Sequence, residues 1–220
     1  MHIVLVCDHR AKTVSQFLSG KLVSTAPWLT PTPLRLNAME IGNWTRNPQK
    51  PFDPEESHIR TFNGRIDEVR VYDRALNAGE IGADKGAPLQ TTPSPVVAAY
   101  AFDENEGTTA HDYAGGHDGT VEGATWARGK FGSSLNFASK EDCVSVPNAE
   151  DLQLEEEFTL EAWVKPTTLG EDEPILIKET PGWFGYSLYL GLNESGHLEG
   201  YVGEEGEETS GTEALPKRRK

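Results

Sequence analysis

The side chains in this sequence that could do chemistry are mostly carboxylates. They gather in "IDEVRVYD" from Ile66 to Asp73, "FDENEG" from Phe102, "GGHDGT" from Gly115 and "LEEEF" from Leu154. Carboxylates at close spacing can act as a general acid and base, or hold a hard cation; calcium takes six to eight oxygens. Other chemistries lack their residues. The six histidines are scattered, with no HxH or HxxxH pair to start a zinc site. No G-x-S-x-G elbow, P-loop or G-x-G-x-x-G is present. The two cysteines, Cys7 in "LVCDH" and Cys143 in "DCVSVP", lie in strand-like stretches and are expected to be free and buried.

The charge is lopsided. Residues 1–96 carry 11 Lys and Arg against 10 Asp and Glu; residues 97–216 carry 5 against 25. The excess argues against binding a phosphate backbone, and suits a self-repelling surface or sites for a cation such as calcium. The closing "PKRRK" belongs to a stretch, 209–220, with no strand alternation, which is expected to be a disordered tail. No apolar run is long enough for a membrane helix, so no membrane insertion is expected.

The elements that must position these residues are strands. "HIVLVCD" is a continuous apolar run, and "TVSQFLSGKLV" predicts two strands about a Ser19-Gly20 turn. "IDEVRVYD" alternates, placing Asp67, Val69, Val71 and Asp73 on one face, with Ile66, Glu68, Arg70 and Tyr72 on the other. "FTLEAWVKP" sets Phe158, Leu160, Ala162 and Val164 against Thr159, Glu161 and Trp163. "VVAAYAFD", "CVSVP", "PILIKE", "YSLYLGL" and "HLEGYVG" are further strands; only "DRALNAGEI" reads as a helical turn. Residues 83–96, with Pro88, Pro93 and Pro95, read as a linker. Short strands between turn signals predict an all-β sandwich.

"FNGRIDEVRVYDRALNAGEI" resembles the C-terminal signature of the laminin G-like jelly roll of the concanavalin A-like lectin/glucanase superfamily. "YAFDENEG", "HDGT", "GKFGSSLNF", "VSVP" and "FTLEAWVKP", in that order, resemble its N-terminal half. Residues 1–82 thus look like the back half of the pattern and 97–208 like the front half. The order is swapped, and the pieces are complementary rather than repeated. The resemblance implies a two-sheet antiparallel jelly-roll sandwich, circularly permuted, with "IDEVRVY" beside "VAAYAF". A slice through tandem domains of a longer protein would give the same order.

The resemblance also bears on function. Glucanases of the superfamily carry E-x-D-x-x-E on one strand, and this sequence has no such motif, so no enzyme is expected. Many members hold a structural calcium at the rim. If the first and last strands of the pattern pair, Asp103 meets Asp67; these two lead the ligand candidates, followed by Asp118 and Asp112, with a carbonyl from the turn at Gly116. In the competing reading Asp67 packs inward and caps backbone N–H groups without metal. Glu68 is expected to face solvent. For a sugar ligand, Trp44, Trp183 and Phe184 stand in turn-rich loops, whereas Trp126 and Trp163 read as core and Trp28 is open to either. The expected function is a non-catalytic module that binds a glycan or an extracellular protein, as part of an extracellular or cell-envelope adhesion protein. The alternatives are a structural spacer and a degenerate glucanase-like hydrolase. Fold does not choose among them.

Overall fold

The computed structural model describes residues 1–28, 38–42, 62–89, 96–154, 156–168, 173–179, 187–192, 197–201 and 208–214. Two antiparallel sheets face one another across a single main core. The first runs β3 (Lys21–Pro27), β2 (Thr13–Leu18), β1 (His2–Asp8), β12 (Glu157–Pro166), β5 (Gly64–Tyr72), β10 (Ser133–Phe137), β9 (Thr125–Arg128). A further strand, β6 (Val96–Tyr100), shares one edge of β5 with β10: β10 pairs with Gly64–Ile66, and β6 with Val69–Tyr72. The second sheet runs β16 (Glu208–Ala214), β15 (His197–Tyr201), β14 (Ser187–Leu192), β13 (Glu173–Glu179), β4 (Met39–Ile41), β11 (Cys143–Val146), β8 (Gly119–Glu122), β7 (Thr109–Ala110). The all-β jelly-roll expectation holds, and so does the pairing of "IDEVRVY" with "VAAYAF".

Local sequence explains the central elements. β1 sits between β2 and β12 and is apolar on both faces: Ile3, Leu5 and Cys7 enter the main core, while Val4 and Val6 face outward under the helix. In β12, Phe158, Leu160, Ala162 and Val164 point into the core, as the alternation predicts. The hairpin between β2 and β3 turns at Ser19 (φ 51°) and Gly20 (φ 80°). Two successive positive φ values make the tight turn that suits a twisted hairpin. Both cysteines are free and buried, and burial pushes the Cys7 thiol well up.

Helix α1 (Ala78–Gly86) covers the outer face of the first sheet. Asn77 caps it, accepting from the backbone N–H groups of Gly79 and Glu80, while the Glu80 side chain accepts from Asn77 N–H at 2.9 Å. Ile81 and Leu76 then pack on Val4, Val6, Phe17 and Tyr72. Burying a side chain such as Ile81 is worth roughly 1.5–3 kcal/mol.

Three expectations need correction. Residues 83–86 are the end of α1, and Leu89 is buried against Ala99 and Ala101, so the linker expected over 83–96 is packed down through residue 89; 90–95 lie outside the described residues. The tail expected from 209 begins instead as a strand: β16 pairs antiparallel with β15, and only 215–220 lie outside the described residues. The faces of β5 also differ from simple alternation, for a reason that shapes the site.

Candidate functional site

β5 carries a bulge. Glu161 and Trp163 of β12 stand opposite Arg70 and Asp67, so two residues of β5, Glu68 and Val69, answer to one of β12. Glu68 has a φ of 53°, which absorbs the extra residue. Alternation is therefore reset: Ile66 joins Val69 and Val71 in the core. The acids Asp67 and Glu68 fall on the outer side together, with Arg70 following.

Asp67 organises the loop from Gly129 to Ser133. Its Oδ2 accepts from the N–H of Lys130 at 2.6 Å and of Phe131 at 3.2 Å. Asp103 accepts the Ser133 N–H at 2.7 Å, and Ser133 Oγ donates to the Phe102 carbonyl. The loop can wrap so closely because of two glycines: a Cβ at Gly129 would collide with Asp67 Oδ2, and one at Gly132 (φ 52°) with Asp103 Oδ1. Asp67 is 3% exposed, and its Oδ1 is buried without a hydrogen-bond partner. Burial, the larger cause, and the nearby charge of Asp103 push its carboxyl up to about 6, against the pull of the loop N–H groups. The ammonium of Lys130 lies over the rings of Trp163 (4.8 Å) and Phe131 (5.1 Å).

The other three metal candidates build a different turn. Asp112 accepts four backbone N–H groups, from Ala99 (2.8 Å), Ala114 (2.9 Å), Gly115 (3.2 Å) and His117 (3.1 Å), which occupies both its oxygens. Asp118 accepts the Asp112 N–H at 2.9 Å and pairs with His111 at 3.1 Å; these contacts, the backbone N–H first, hold its carboxyl below the usual range. Gly116 (φ 126°) supplies the turn's conformation. The turn braces β6 at Ala99, whereas Asp67 and Asp103 hold the 129–133 loop. Among the described residues no group of three or more His, Cys, Asp or Glu side chains gathers as a ligand set. The orphaned oxygen of Asp67 beside the charge of Asp103 fits a hard cation only if backbone carbonyls or water complete the shell.

A second constellation was not anticipated. Glu68, expected to face solvent, is 0% exposed. Its Oε2 accepts from Arg70 Nη2 at 2.8 Å and from Leu89 N–H at 2.5 Å. Arg70 also donates to Glu161 Oε1 at 3.3 Å and to the Ala87 carbonyl at 3.0 Å. His2 Nε2 lies 3.4 Å from Glu161 Oε2, both side chains fully buried. A row of ionisable side chains thus crosses β1, β12 and β5 beneath the segment that follows α1. Burial pushes Glu68 up to about 7, chiefly against the attraction of Arg70. The signal was present in the sequence: charged residues of two strands that are apolar on their other face. Only the register reveals that they meet.

The aromatic candidates separate. Trp44, Trp183 and Phe184 lie outside the described residues. Trp28 is buried, edge-on to Phe158 at 6.1 Å. Trp126 is half-buried against the core and donates to the Gly107 carbonyl at 3.2 Å. Trp163, expected in the core, is half-buried on the outer face instead, among His2, Phe131 and Lys130.

No helix among the described residues is long and apolar enough to cross a membrane. No curated protein and no solved structure matches the chain. A family model described as the concanavalin A-like lectin/glucanases superfamily, laminin G type, matches residues 1–82 and 138–219. The match leaves out 97–137, where part of the resemblance was read. Two segments of one family pattern, interleaved in one pair of sheets, place this chain in the concanavalin A-like lectin/glucanase superfamily.

Proposed function

We propose that this domain is a non-catalytic binding module for a glycan or an extracellular protein, acting outside the cell or in its envelope. The observation that supports this reading is the state of the same-face carboxylates on the central strands. A hydrolase of this superfamily needs such a pair open to substrate and free to exchange protons. Glu68 and Glu161 both lean on Arg70, and both are fully buried. An array of glycans, probed with the full chain with and without calcium, tests the reading. Selective retention of one sugar class supports it. Release of reducing ends from a bound glycan would replace it with a hydrolase. Silence on the array and in a screen against extracellular matrix proteins would leave a structural spacer.

Calcium at the rim is part of the proposal. Asp67 and Asp103 would hold it, with carbonyl oxygens and water completing the shell. A bound calcium would supply positive charge to offset the two carboxylates. The chain's own part is to present Asp67 Oδ1 buried and without a hydrogen-bond donor, next to a second negative charge.

A further inference from the structure

The first segment, residues 1–89, and the second, residues 96–214, are interleaved strand by strand. Within the first segment, β1 pairs with β2 and β2 with β3. Its other two strands have every described partner in the second segment: β4 lies between β11 and β13, and β5 is held by β12, β10 and β6. The dependence is mutual. β12 is flanked by β1 and β5, both from the first segment, and β6 pairs with β5. Without the second segment, β4 and β5 would lose their described ladders; without the first, β12 and β6 would lose theirs. A strand stripped in this way exposes unpaired N–H and C=O groups and an apolar face.

The covalent joint adds little to this fit. The chain leaving α1 is fastened to its own segment: Asp84 accepts from Tyr72 Oη at 2.8 Å, Lys85 Nζ donates to the Ser19 carbonyl at 3.3 Å, Ala87 accepts from Arg70, and Leu89 donates to Glu68. Every one of these polar partners lies in residues 1–82, while the Leu89 side chain packs on Ala99 and Ala101 of the second segment. Contacts between the segments are ladders, core packing and side-chain bonds such as Arg70 to Glu161 and the Lys130 N–H to Asp67, which are the same whether or not the two belong to one polypeptide.

We infer that the segments are exchangeable partners: the first segment of one chain completes the sandwich on the second segment of another, giving a strand-swapped dimer with a second copy of this chain. This goes beyond the binding reading and does not depend on it. The cis form wins in dilute solution, because a short connection sets an effective concentration of order mM. Exchange takes over when chains fold together at comparable density, and it joins two sandwiches, each assembled across both chains.

Two full-length variants test this. Val71→Asp breaks β5, and Leu160→Asp breaks β12; both side chains are fully buried in the main core. Each variant alone is expected to stay unfolded. Refolded together from urea, with different tags, they should give a heterodimer with one cooperative melt, built from the intact first segment of the Leu160→Asp chain and the intact second segment of the Val71→Asp chain. A mixture that stays unfolded overturns the inference, as does a folded product in which the tags do not co-purify. A second measurement keeps the test independent of those variants: a protease site replacing residues 90–95, cut after folding. The nicked protein should remain one particle and refold at a rate that rises with concentration. Separation of the two fragments under native conditions would count against exchange.

Discussion

Asp67 and Glu68 are consecutive residues on one bulge, and they meet opposite surroundings. Glu68 faces a guanidinium and a backbone N–H, and Arg70 passes part of its charge on to Glu161. Asp67 receives only N–H groups, on one oxygen, and sits beside another acid. The first acid is paired with a guanidinium, and together they hold the Ala87–Leu89 segment down. Each acid keeps one buried oxygen with no donor, Oε1 of Glu68 and Oδ1 of Asp67. What separates them is the neighbouring charge, a guanidinium at Glu68 and another acid at Asp67, so an external positive charge would lower the energy at Asp67. A buried carboxylate becomes available to a ligand when the protein leaves its charge unanswered, and becomes structural when the protein answers it.

The largest expected effect tests the compensated side. Arg70→Met strips the counter-charge from two buried acids and should cost about 3–5 kcal/mol. Urea unfolding reads this directly; a loss under 1 kcal/mol would mean the row is wetter than its burial implies. Calcium tests the other side. At a hundred times its dissociation constant, an ion bound only to the folded rim adds about 2.7 kcal/mol. Asp67→Asn and Asp103→Asn should each remove most of that gain, and the double variant should lose no more than either single. A wild-type melting point unmoved by millimolar calcium would mean these aspartates are only backbone caps.

Protons offer a further way to separate the two regions. Asp67 is raised to about 6 and Glu68 to about 7, both above their unfolded values. The folded state therefore binds more protons than the unfolded one between about pH 4 and pH 7. The stability these groups contribute is full below that window and is lost as pH rises through it. In chelator, the protein should lose on the order of 2 kcal/mol from pH 5 to pH 8. Calcium should restore stability most at the alkaline end, and Asp67→Asn should flatten the slope. A slope of the opposite sign would show that Arg70 and the loop N–H groups outweigh burial. The smallest effect lies in the helix above the row: Asn77→Ala should cost about 1 kcal/mol through the lost cap. Proteolysis between residues 82 and 95, rather than global melting, should report it first.

Much of the fold was legible because strands announce themselves locally. "HIVLVCD" and "FTLEAWVKP" carry their burial in residue type and alternation, and Ser19-Gly20 carries its turn. The swapped order of the family pattern was enough to expect β5 beside β6. Asp67 and Asp103 were expected as neighbours on the same grounds, and the structure brings both to the Gly129–Ser133 loop. What stayed hidden depended on register. A bulge is one residue in the wrong count, and nothing in "RIDEVRVY" marks where the count changes. It moved Ile66 inward and buried Glu68, against the reading of alternating faces. In the same way, "TSGTEA" has no strand pattern of its own and is ordered by the ladder of β15. Sequence by itself determined the strands, the turns and the family pattern, because these rest on contacts within a few residues. Tertiary structure decided which acids are answered by Arg70 and which are left open, because charge compensation depends on side chains that meet across strands: Arg70 and Glu161 are 91 positions apart.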